Sequence, residues 1–264
     1  MKHLFSTFKD SMKGLWVQLA AAITFFTRIP IWRLVDIPVV SYSKIICFWP
    51  LTGWITGGIS SGAWLLFSMY LPPVPAIILT LVIRIIFTGG FHEDGLSDFF
   101  DGFGGGKSKA DILRIMKDSN VGSYALIGMI VYYLLLVSTL ASIPKGMMVA
   151  ILFVADPLSK LLTAGMMNFL PYARTESESK SKTLYDKLNT KRLLVACFFG
   201  LLPFFLLLNG IFWLSFIIPL CMIFFIFFNV RKKIGGYTGD ICGATALLCE
   251  LGFYLSIVVI NRNF

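Results

Sequence analysis

The chain has 264 residues, of which 57% are hydrophobic, 15% aromatic and 14% charged, with a formal net charge of +9. A soluble domain carries roughly 25% charged residues, so this balance, with a mean hydropathy of +0.80, excludes an ordinary soluble globular protein. The positive charge is read as membrane orientation, attraction to anionic lipid, or a phosphorylated substrate at the membrane surface, and no nucleic-acid partner is expected.

In chain order, segment 15–31 (LWVQLAAAITFFTRIPI) comes first, interrupted by Arg28 and Pro30. It is read as an N-terminal interfacial or re-entrant helix, with a full crossing left open. Apolar runs follow near 46–71, 74–91, 121–143, 147–170, 193–208, 211–229 and 241–260. Each approaches the roughly 20 residues a helix needs to cross the hydrocarbon core. The expectation is an all-α integral membrane protein: a polytopic bundle of about seven transmembrane helices plus the N-terminal helix, forming one domain over 1–264. Gly53, Gly57 and Ser61 give the first run a small-residue surface for close helix packing. Arg84 in the second run needs a carboxylate partner or a cavity. Asp156 and Lys160, one turn apart in the fourth, neutralise each other most simply. The five cysteines form no C-x-x-C pair, so neither a thiolate metal site nor a disulfide framework is expected.

The connections alternate in charge. Those near 71–75, 143–146 and 208–210 carry Lys145 alone, whereas 92–120, 171–192 and 230–240 hold thirteen lysines and arginines, among them Lys107, Arg114, Lys117, Arg174, Lys180, Lys182, Arg231 and Lys232. Each pair of spans returns the chain to one face, and the positive-inside rule makes that face cytoplasmic.

On that face lies FHEDGLSDFFDGFGGGKSKADILRIMKD, residues 91–118, where much of the chain's small complement of acids is concentrated. Asp94, Asp98 and Asp101 recur at i, i+4 and i+7, which on a helix places them within about 60° of one another. Like charges on one stripe repel unless a cation intervenes. Mg2+ takes oxygen ligands, typically one or two carboxylates plus substrate phosphates, so these three are the candidate metal ligands. The alternative is a solvated acidic face. Glu93 points about 100° away from the stripe. His92 stands at the end of a span, suited to a general base or to a structural hydrogen bond. Gly102-Phe-Gly-Gly-Gly-Lys107 follows, a backbone able to direct N–H groups at phosphate, with Lys107 adding charge. Ser108 is expected to cap a short helix with Asp111 at its start. That helix should bury Ile112 and Met116 and present Arg114, Lys117 and Asp118 as candidate substrate contacts.

A second patch, RKKIGGYTGDICGATALLCE at 231–250, sets Arg231 and Lys232 before Gly236, Thr238 and Asp240, with Glu250 deeper in the last span. Ionisable residues inside a span are costly and suggest function by default. Arg174, in LPYAR, stands at the membrane edge of the polar segment 175–192. From residues alone, a metal-dependent membrane transferase leads. A secondary transporter using buried acids remains as an alternative.

Taken together, GGFHEDGLSDFFDG, RIMKDSNVGSYA, LPYAR and GGYTGDICGA, with FFTRIP near the start, resemble the cobalamin synthase family of adenosylcobinamide-GDP ribazoletransferases. The motifs fall in the family's order over most of the chain, and His92, Asp94, Asp98, Asp101 and Asp240 all match. CDP-alcohol phosphotransferases expect D-G-x-x-A-R, which Asp94-Gly95-Leu96-Ser97-Asp98 does not satisfy; prenyltransferases also place aspartates at helix ends. The resemblance implies a Mg2+-dependent transferase in the cytoplasmic (inner) membrane, acting at the last assembly step of the cobalamin nucleotide loop. Its substrates would be adenosylcobinamide-GDP and alpha-ribazole or its 5'-phosphate, with GMP released. It implies catalytic roles for His92, Asp94, Asp98, Asp101 and Asp240. Substrate contacts would come from Lys107, Arg114, Lys117, Asp118, Arg174, Arg231, Lys232, Gly236, Thr238 and Glu250. Membrane lipid is an expected partner, and oligomerisation is left open.

Overall fold

A computed structural model describes residues 2–174 and 185–263, with the side chains of residues 2–13 excepted. Lys180 and Lys182 of the expected cytoplasmic loop lie outside the described residues. The described residues form ten α-helices: α1 (Lys2–Phe26), α2 (Trp49–Phe67), α3 (Pro73–Thr88), α4 (Phe91–Gly105), α5 (Lys109–Ile115), α6 (Ser123–Ala141), α7 (Lys145–Phe169), α8 (Thr190–Leu207), α9 (Ile217–Lys233) and α10 (Gly239–Asn263). Short 3-10 segments precede α2 and α9.

Among the described residues, five segments are long and apolar enough to cross a membrane: α6, α7, α8, Gly210–Lys233 and α10. A sixth is added if α3 and α4 are taken as one span bent by 96°. This is fewer than the seven expected, for two physical reasons. The run at 46–71 becomes α2, whose glycines, serines and threonines dilute its hydropathy. The run at 74–91 stops at Thr88, because Gly89 and Gly90 both adopt left-handed backbone (φ 75° and 70°) and turn the chain sharply into α4. The N-terminal apolar stretch, Gly14–Phe26, is too short to count as a span.

The bundle has an inside and an outside. In α7 and α10, 72% and 78% of the spanning window is buried, against 22–28% for α6, α8 and Gly210–Lys233. Two helices therefore form the axis and three face outward. Helix α2 lies on α7 through its small residues: a Cβ at Gly53 would stand 2.7 Å from the Pro157 backbone, and one at Gly57 3.0 Å from the Phe153 carbonyl. Ser61 completes the stripe by donating to the Val149 carbonyl at 2.9 Å. The expected close-packing surface is present.

Two apolar clusters fill the interior, one around Ile45, Trp49, Ile112, Met116 and Ile241, the other around Trp64, Ile77, Leu140, Ile151 and Phe253. Buried charges join the helices between them. Arg84 donates from both terminal nitrogens to the two oxygens of Glu250 at 2.6 Å, and Tyr254 donates to Glu250 Oε1 at 2.6 Å. Lys160 pairs with Asp156 at 2.6 Å and donates to Thr56 Oγ1 at 2.8 Å, while Thr56 donates to Asp156. Opposite charges meet in each pair, as their cost in a low-dielectric interior requires. Arg84 thus acquires its carboxylate, and Asp156 and Lys160 neutralise each other.

Candidate functional site

The two patches singled out in the sequence meet. Helix α4 lies against the start of α10, with glycine at each crossing point. A Cβ at Gly95 would stand 2.6 Å from the Asp240 carbonyl oxygen, and one at Gly243 3.1 Å from His92 Cα. Residues more than a hundred positions apart are brought together because neither contact point carries a side chain.

The stripe of α4 divides into unlike residues. Asp94 is exposed and Asp98 half-buried. Asp101 is buried and accepts from the backbone N–H groups of Gly122 (2.6 Å) and Ala125 (2.8 Å). These are orphan donors at the start of α6, so Asp101 caps a neighbouring helix and departs from the expected three-carboxylate set. Among the described residues, no three His, Cys, Asp or Glu side chains are grouped to hold a metal ion.

His92 does not open onto water. It is 3% exposed, stacked parallel on Trp49 with ring centres 6.1 Å apart, and its Nε2 has no hydrogen-bond partner. Glu250 is likewise interior, at 2% exposure in its pair with Arg84. It joins α10 to α3. Thr238 is fully buried and caps α10, accepting from the Ile241 N–H at 3.3 Å.

Arg174 ties the site together. It is buried, donates to the Leu113 carbonyl of α5 at 3.3 Å, and lies 3.6 Å from Asp240 Oδ2 in the first turn of α10. Its segment is clamped to the α9–α10 turn by two backbone bonds: Tyr237 N–H to the Pro171 carbonyl, and Ala173 N–H to the Tyr237 carbonyl, both 2.9 Å. Gly236 makes this clamp possible, because a Cβ there would collide with the Pro171 carbonyl.

Beside Arg174 opens a cleft of about 780 Å³, lined by Lys109, Ala110, Leu113, Arg114, Lys117, Tyr172, Ala173 and Arg174. Four of these residues are cationic and none is acidic. Ser108 caps α5 as its sequence suggests, accepting from the Asp111 N–H at 3.2 Å and donating to its carboxylate at 2.9 Å. Ile112 and Met116 are buried, so α5 is anchored by its apolar face and presents its cations to the cleft. Such an arrangement favours an anionic group over a cationic one.

Other candidates stand apart from the cleft lining. Lys107 and Lys232 are exposed, and Arg231 borders an apolar groove among α7, α8 and α9. Asp118 accepts from the backbone and side-chain nitrogens of Asn120 at 3.0 and 2.7 Å, which hold its carboxyl below the ordinary value. Sequence reasoning missed Lys109 and Tyr172. Their signal was position alone: one opens the short basic helix, the other sits within LPYAR.

The sequence pattern of the cobalamin-5-phosphate synthase family matches residues 18–258. Adenosylcobinamide-GDP ribazoletransferases of Shewanella sp. (strain W3-18-1), Shewanella putrefaciens and Shewanella oneidensis are each 36% identical to this chain over 247 residues, covering 91% of it and 93% of the relative. No solved structure matches the chain.

Proposed function

Because the chain belongs to the cobalamin-5-phosphate synthase family, we propose that it joins adenosylcobinamide-GDP to alpha-ribazole or its 5'-phosphate. The products are adenosylcobalamin or its 5'-phosphate, and GMP. This is the final assembly step of the cobalamin nucleotide loop. The observation that carries the assignment to a site is the cationic cleft joined through Arg174 to Asp240 and so to α4.

In this reading the ribose hydroxyl oxygen of the acceptor bonds to the phosphorus nearest the corrinoid. The bond from that phosphorus to the bridging oxygen breaks, GMP carries the electron pair away, and a carboxylate at the rim takes the hydroxyl proton. Lys109, Arg114, Lys117 and Arg174 hold the diphosphate and offset charge on the leaving group. Asp240, held by Arg174, positions the attacking hydroxyl. His92, packed between Trp49 and Gly243, sets the placement of α4.

The donor set suits Mg2+: Asp94, exposed, and Asp98, half-buried one turn on, would supply two carboxylates, and the substrate diphosphate further oxygens. Bound there, the ion would stabilise negative charge on the phosphoryl oxygens. The protein is multi-pass, and we place its basic loops and site on the cytoplasmic side of the inner membrane, with the outward faces of α6 and α8 against lipid. Purified protein incubated with adenosylcobinamide-GDP, alpha-ribazole and Mg2+ should release GMP in step with consumption of both substrates. No release would overturn the assignment.

A further inference from the structure

Tyr172 has a cavity on each side of it. One is the cationic cleft. The other is smaller, 230 Å³, and is bordered by Tyr172, Tyr185, Tyr237, Asn168, Asp186 and Lys187, with apolar residues behind them. At about 30 Å³ for each water in the liquid, it equals roughly eight waters. Its charged rim holds one acid and one base, so the excess of cations that marks the neighbouring cleft is missing here.

The walls are aromatic and held in place. Tyr172 and Tyr237 meet edge to face, centroids 5.4 Å apart at 74°. Both belong to the backbone clamp between 171–173 and the α9–α10 turn. Tyr185 is braced edge to face by Phe25 at 6.1 Å. The Asn168 carbonyl oxygen accepts from the Leu188 N–H at 2.7 Å, which orients its NH2 group as a donor. A compact, charge-balanced slot with aromatic walls and an oriented amide recognises a flat, uncharged heteroaromatic ring.

We propose that this slot holds the benzimidazole-type base of the acceptor nucleoside, and that the donor's nucleoside diphosphate occupies the cationic cleft across Tyr172. The inference rests on the transferase reading above and assigns its second substrate to a subsite. Arg174 follows Tyr172 by two residues and Asp240 follows Tyr237 by three. A base seated between these tyrosines therefore carries its ribose towards the Arg174–Asp240 pair, where the attacking hydroxyl is needed. The Tyr172 ring separates the two aromatic groups, and one polar pair serves both.

The test uses detergent-solubilised full-length protein with Tyr185→Leu, Tyr185→Phe and Asn168→Asp. Asn168→Asp keeps the acceptor for the Leu188 amide and removes the NH2 donor. Two readouts are taken: equilibrium dialysis of labelled alpha-ribazole, and KM for each substrate from GMP release. Loss of a stacking wall should weaken alpha-ribazole binding and raise its KM by roughly tenfold to a hundredfold. Tyr185→Phe should stay near wild type. Asn168→Asp should weaken alpha-ribazole binding, and the KM for adenosylcobinamide-GDP should be unchanged in all three. Free 5,6-dimethylbenzimidazole should compete with alpha-ribazole and not with adenosylcobinamide-GDP. Unchanged alpha-ribazole binding in Tyr185→Leu, or an equal rise in both KM values at unchanged thermal midpoint, would overturn the subsite. If wild-type protein binds alpha-ribazole selectively through these residues but releases no GMP, the slot stands and the transferase reading falls.

Discussion

The three aspartates of α4 share a spacing and differ in what surrounds them. Asp98 is half-buried beside the crossing with α10, whereas Asp101 holds two amides at the start of α6. Replacing Asp98 with Asn keeps the shape and removes a charge, so GMP release should fall by about a hundredfold or more. Its thermal midpoint should stay near wild type, and so should that of Asp94→Asn. Asp101→Ala removes the acceptor for two hydrogen bonds and should cost about 1–3 kcal/mol of stability, read as a lower midpoint in detergent. Equal stability of the Asp98 and Asp101 variants would contradict this division. Arg174 is a second residue whose chemistry is specific. Its Nη2 donates to the Leu113 carbonyl and lies 3.6 Å from Asp240 Oδ2, and lysine offers only a point charge on a flexible stem. Arg174→Lys should therefore lower turnover at least about tenfold, because a flexible ammonium does not hold the fixed position of the planar guanidinium between α5 and Asp240.

At the scale of elements, the site depends on close approach between segments. Helix α4 meets α10 where Gly95 faces the Asp240 backbone. Gly95→Ala would force the two helices apart even though alanine is the better helix former. Activity should drop while helical content measured by circular dichroism is retained. Gly236→Ala acts on the other contact, pushing 171–173 off the α9–α10 turn, and should raise the KM for both substrates. A Gly62→Ala control, whose Cβ would meet nothing within 4 Å, should be silent in both assays. Loss of activity in the control would show that α2 and α4 glycines matter for another reason.

Across the whole molecule, a buried ion pair holds α3 to α10, and the Asp156–Lys160 pair within α7 is hydrogen-bonded to Thr56 of α2. Arg84→Met or Glu250→Gln leaves one charge or dipole without its partner, and losing a buried partner typically costs about 3–5 kcal/mol. Each single variant should unfold at lower temperature, and Arg84→Met with Glu250→Met should recover much of the loss. An unaltered midpoint in the single variants would remove the pair from the list of fold determinants. The orientation of the bundle is tested separately. In a cysteine-free background, cysteines at Lys117 and Lys232 should react with an impermeant maleimide only from the cytoplasmic side; labelling from outside would invert the topology.

Much of this was legible in the chain itself, for physical reasons. Composition and runs of apolar residues require a membrane, and the alternation of basic loops implies an orientation. The 3.6-residue period identifies the α4 stripe, and small residues at four-residue spacing announce a close-packing surface on α2, though not its partner. These are local properties, carried by neighbours along one helix. What each acid does was decided only by tertiary structure. Asp101 became a cap because the start of α6 arrives beside it. Glu250 turned inward because Arg84 stands opposite. His92 was buried against the Trp49 ring. The cationic cleft exists because Arg174, far along the chain, lies against α5. Five or six spans are recognised among the described residues where about seven were expected, because hydropathy along a line does not register two left-handed glycines that bend a run, nor the glycines that let α2 pack closely on α7. The spacing of charges belongs to the sequence, whereas the partner each charge finds is a property of the packed helices.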